Sequence, residues 1–60
     1  MKKFIISFYD WDEEFEYERR TMEFLDYDEM MEFAGRHCQE ILVEKDLPSI
    51  CWHYEEVDNA

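Results

Sequence analysis

Glycine and proline are almost absent from this chain. Gly35 and Pro48 are the single examples of each. That scarcity excludes a glycine-rich loop that would cradle a phosphate, and no linker, repeat or low-complexity stretch interrupts the sequence. Basic residues are few: six Lys and Arg stand against seventeen Asp and Glu, a formal net charge of −11. Nucleic acid and anionic membranes would repel such a chain, which argues against both as direct partners. No apolar run approaches the ~18 residues of a membrane span. The opening MKKFIISFYDWD imitates a signal peptide only as far as Asp10. There the apolar run stops, and no small-residue cleavage site follows it. A cytoplasmic protein is the expectation.

What the chain does have is aromatic bulk. Five Phe, four Tyr and two Trp occur in sixty residues. A domain this short buries only about 60 % of its unfolded surface, so rings that each bury roughly 150–250 Å² are its main resource for a core. The apolar fraction of 47 % argues for a folded domain despite the charge. A single domain is expected over residues 1–57, with 58–60 as a tail. Charge is uneven along it. Residues 1–9 carry +2, residues 10–32 carry −9, residues 33–49 carry −1 and residues 50–60 carry −3. A basic protein surface is the natural complement of that middle third.

Hydrophobic periodicity predicts the elements. Residues 3–11 read as a strand, with Phe4, Ile6 and Phe8 on one face and Ile5, Ser7, Tyr9 and Trp11 on the other. Asp12, Glu13 and Glu14 make the turn. A second strand follows over 15–24, with a phase slip near Arg19 and Arg20 that reads as a bulge or as two differently covered halves. Asp26 is a helix N-cap with Glu29 as its capping-box partner, and Leu25 and Met30 stand at the hydrophobic-staple positions. Tyr27, Met30, Met31, Ala34, Cys38, Ile41 and Leu42 fall on one helical stripe, which ends near Lys45, before Pro48. Glu32 and Arg36 are spaced as a favourable i,i+4 pair. Gly35 weakens the helix unless a neighbour needs the space. Residues 50–57 read as a third strand, with Ile50, Trp52 and Tyr54 on one face and Cys51, His53 and Glu55 on the other. The expected fold is α+β, in β-β-α-β order: a three-stranded antiparallel sheet with one helix packed on one face.

Candidate chemistry is thin. His37, Cys38, Cys51 and His53 are metal-ligand types, but they lack the spacings of structural zinc sites. The element assignment also sends Cys38 to the core and Cys51 and His53 to the opposite sheet face. No metal, cofactor or Cys38–Cys51 disulfide is expected. Asp10, Asp12 and Glu14 start like a calcium loop, but Phe15 and Thr21 stand where that loop needs Gly and Glu. No pair of groups carries a nucleophile–base signature, and a sheet with one helix has little room for a cleft. The chain is not expected to be an enzyme.

Two surfaces remain. The first is the acidic hairpin, with Tyr9, Asp10, Trp11, Asp12, Glu13, Glu14, Glu16, Tyr17 and Glu18 as the binding candidates. On a regular strand Glu14, Glu16 and Glu18 would form a row of charges at about 6.6–6.8 Å spacing, comparable with the charge line of one nucleic-acid strand. The second is the sheet face left bare by the helix, where Ile5, Tyr9, Trp11, Cys51 and His53 would gather. An exposed aromatic patch of that kind marks an interface, a second copy of the chain included.

The basic-aliphatic opening strand (residues 2–8), the acidic hairpin (10–18) and the capped helix (26–42) resemble, in build, small acidic proteins of bacteriophages and mobile elements. That group includes inhibitors of host RNA polymerase with a similar element order. Anti-CRISPR and anti-restriction proteins, some of which mimic DNA, also belong to it. The likeness covers most of the chain but shares no diagnostic motif, so it carries no residue across. It implies a non-enzymatic inhibitor that occupies a basic, nucleic-acid-binding surface of a host enzyme. The alternative expectation is a regulatory or structural subunit, antitoxin-like or an assembly factor, that binds through the bare sheet face.

Overall fold

The computed structural model describes residues 1–57; the expected tail, 58–60, lies outside the described residues. The elements are β1 (Lys2–Asp10), β2 (Glu16–Phe24), α1 (Tyr27–Glu44) and β3 (Ile50–Val57). The strands form one antiparallel sheet in the order β2-β1-β3, and the helix lies across one face. This is the expected α+β arrangement. The result is a thin slab of 38 × 20 × 13 Å.

β1 takes the centre because residues 4–9 carry no charge and can be buried between two neighbours. Phe4, Ile6 and Phe8 point to the helix and are 0 % exposed. Phe24, Met30, Ala34, Cys38 and Ile41 close the core around them. Trp52 and Ile50 from β3 and Met22 from β2 pack at its margins. The outer strands carry charges at Arg19, Arg20, Glu55 and Glu56, which discourage further strands from pairing on the edges.

The helix termini follow local chemistry. Asp26 Oδ1 accepts the Glu29 N–H at 2.9 Å, as an N-cap should. The Glu29 carboxylate reaches past the cap to the Leu25 N–H at 3.4 Å. At the other end Asp46 adopts a left-handed φ of 53°. The Leu47 N–H donates to the Leu42 carbonyl and the Asp46 N–H to the Val43 carbonyl, a Schellman closure with Asp where Gly is usual. Pro48 follows and prevents continuation.

Four local expectations are corrected. The bulge lies between Phe8 and Tyr9, where Phe8 pairs with Glu18 and Tyr9 with Glu16, and not at Arg19–Arg20. Tyr17 is the extra residue that allows the turn to close. The buried helix stripe is rotated from the expected one: Tyr27 and Met31 are exposed, while Phe33 and His37 turn inward. The staple does not form, because Leu25 is 68 % exposed while Met30 is fully buried. Gly35 has nothing within 4 Å of where a Cβ would stand, so no close approach explains it.

Candidate functional site

The hairpin tip, residues 10–16, holds five acids, Trp11 and Phe15, and no basic residue. Two of those acids build the turn. Asp10 Oδ1 accepts the Trp11 N–H at 2.8 Å, and Asp12 Oδ1 accepts the Glu14 N–H at 3.1 Å. Short Asp side chains satisfy turn backbone in this way. The Glu13 N–H donates to the Asp10 carbonyl and the Asp10 N–H to the Phe15 carbonyl, both at 2.8 Å. With its backbone held, the turn presents its rings outward: Trp11 is 66 % exposed and Phe15 58 %. Phe15 meets Tyr17 edge-on at 5.0 Å, and the Lys45 ammonium stands 5.9 Å over the Tyr17 ring. Desolvation, reinforced by the negative charge of Asp10 and Asp12, raises the Tyr17 phenol above its usual pKa.

The expected row of Glu14, Glu16 and Glu18 is not formed. Glu14 sits in the turn, outside any strand. The bulge then turns Glu16 to the open face, where it pairs with Arg19 at 2.8 Å. Glu18 turns to the helix face, where it accepts from Arg20 at 2.7 Å and meets His37 Nε2 at 2.5 Å. Partial burial works to raise the Glu18 carboxyl, but the hydrogen bonds from His37 and Arg20 outweigh it and leave the pKa lowered. His37 is further held by its stack on Phe33 and its edge contact with Phe8. Glu18 is therefore engaged in fastening β2 to the helix, with its side chain still 32 % exposed.

The open face also departs from expectation. Trp11 is in the turn and does not extend the strand face. Ile5 and Tyr9 are half-buried, and Ser7 is only 8 % exposed. Tyr9, Arg19 and His53 line a shallow depression above Ser7. Lys3, Arg19, Glu16, Glu23 and Glu55 stand on the same face by register. It is a mixed, charged surface and not an aromatic patch.

His37 and Cys38 face the core side and Cys51 and His53 the open side, so these four do not converge, as the sequence implied. Both cysteines are free thiols. Burial raises both pKa values; Cys51 adds to the effect at Cys38, and Glu13, Asp10 and Asp12 add to it at Cys51. Neither is primed as a thiolate nucleophile. Sequence reasoning missed a different grouping. Glu13, placed by the turn in the left-handed region at φ 62°, contacts His53 Nε2 and lies beside Cys51. The alternating Cys-Trp-His of β3 was visible in the sequence. Its meeting with Glu13 depends on the pairing of Asp10 with Ile50 and Tyr9 with Cys51, which brings the turn alongside that end of β3. Phe15, exposed in the same turn as Trp11, was likewise not among the expected binding residues.

Among the described residues no helix is long and apolar enough to cross a membrane. Comparison with protein-family models, curated proteins and solved structures finds no match to this chain.

Proposed function

We propose that this chain is a non-enzymatic binding protein whose acidic hairpin tip docks on a basic surface of a nucleic-acid-processing protein in a host cytoplasm and blocks access to it. The observation that carries this reading is the tip itself: five acids around two rings that are both more than half exposed. A small domain that depends on its aromatics for a core leaves two of them in water at one end. Exposed rings of that kind anchor interfaces, and Arg on a partner can stack on them. The surrounding acids steer a basic partner and raise its association rate. Because Glu14 sits in the turn while Glu16 and Glu18 lie on opposite faces of the sheet, the mode proposed is a charged, ring-anchored plug and not a ladder of phosphate-like charges. The open sheet face, mixed in charge, offers no comparable anchor to a subunit partner or a second copy.

The test is affinity capture from bacterial lysate with the wild type, Trp11→Ala and the triple variant Asp12→Asn, Glu14→Gln, Glu16→Gln. Support would be a nucleic-acid enzyme that is released by high salt, retained less by the triple variant and lost with Trp11→Ala. A partner held equally by all three proteins, or held regardless of salt, would sink the reading.

A further inference from the structure

We propose that Glu13, Cys51 and His53 form a binding site for a divalent transition metal of the zinc class. A carboxylate oxygen, the Cys51 sulfur and a His53 ring nitrogen all lie within 4.8 Å of one another. In a tetrahedral zinc site with bonds of about 2.0–2.3 Å, neighbouring ligand atoms stand about 3.3–3.7 Å apart. All separations lie within 4.8 Å, so the widest contracts by at most about 1.5 Å while Glu13 and His53 part to admit the ion. The donor set selects the ion class. Sulfur and imidazole favour zinc-class metals, whereas calcium and magnesium take oxygen ligands.

The fold supplies each ligand for its own reason. Cys51 and His53 are two residues apart on β3 and share its open face, opposite Tyr9 and Ser7 of β1. The Tyr9 ring meets the His53 ring edge-on at 5.5 Å and orients it. The Cys51 sulfur is held 3.3 Å from the Asp10 carbonyl. Glu13 arrives from the turn and already touches His53 Nε2, so an ion would insert between two groups that face one another. Glu13 and His53 side chains are 54 % and 56 % exposed, which leaves an entry route and a fourth coordination position open to water or to a partner's side chain. As the sulfur–metal bond forms, the Cys51 thiol yields its proton to solvent and His53 binds through its neutral ring. An ion held there ties the turn to β3 and fixes the base of the tip that carries Trp11. The inference does not depend on the proposed function.

Cobalt(II), added to the metal-free protein as a spectroscopic stand-in for zinc, tests it. A thiolate-to-cobalt charge-transfer band should saturate at one ion per chain and be bleached by zinc. Cys51→Ser should abolish the band, and Cys38→Ser should leave it. Glu13→Gln and His53→Gln, both at exposed positions, should each weaken affinity by about tenfold or more, with circular dichroism confirming that they fold. The proposal is overturned by the absence of the band, by a band that survives Cys51→Ser or vanishes with Cys38→Ser, or by uptake of several ions per chain without any thiolate signature.

Discussion

The layer between helix and sheet and the open side of the sheet hold the same residue types and treat them oppositely. On the covered face His37 is 15 % exposed in its side chain, wedged against Phe8 and Phe33 and fastened to Glu18, and Cys38 is an ordinary core filler. On the open face His53 and Cys51 stand beside solvent and meet a turn acid. A helix on one side turns His and Cys into packing groups; its absence on the other leaves them open to solvent and to the proposed ion. Chemistry in so small a domain is decided by which face a residue occupies more than by which residue it is.

That comparison can be broken most severely from the covered side. Phe8→Ala should cost about 3–5 kcal/mol, the usual range for deleting a buried Phe. A domain of this length has roughly 0.05–0.15 kcal/mol per residue in total, so most or all of its stability would go. Tyr9→Ala, next along the chain but half-buried on the open face, should cost clearly less. Urea denaturation of the pair checks this, and equal losses would mean that the open face is covered in solution.

Trp11→Ala should leave stability within about 0.5 kcal/mol, as expected for a surface substitution, while weakening partner capture by at least about 2 kcal/mol, near 30-fold. A marked drop in the urea midpoint would make the ring part of the fold and not a binding anchor.

Gly35→Ala sharpens the comparison from the helix. With open space at the Cβ position, the substitution should stabilise by about 0.5–1 kcal/mol through helix propensity alone. A thermal midpoint that falls would reveal a neighbour that the fold does not show.

The smallest expected effect is at Glu18. Its carboxyl is lowered from the ordinary 4.5, so its contribution is present above that pH and fades as pH falls through the lower folded value. The pair is partly exposed and worth about 0–1 kcal/mol. The stability gap between wild type and Glu18→Gln should therefore be widest above pH 4.5 and shrink below it. A gap that stays constant with pH would mean that packing, and not the ionised carboxylate, makes the difference.

The sequence by itself determined the order of elements, the central place of an uncharged β1, the phases of β1 and β3, the Asp26 cap and the stop near Lys45. These are local matters: alternation of period two, a helical run, a capping oxygen three residues from its N–H. Tertiary structure alone decided the rest. β2 has charges on both faces, so its hydrophobic pattern underdetermines its phase. The bulge at Tyr17 sends Glu16 and Glu18 to opposite faces and dissolves a row that looked continuous on paper. The helix turned Phe33 and His37 inward against the rings of Phe24 and Phe8, contacts with another element that a stripe count within the helix does not sense. Glu13 reached Cys51 and His53 across some forty residues because register between β1 and β3 is a property of the paired strands, and no periodicity within either strand encodes it.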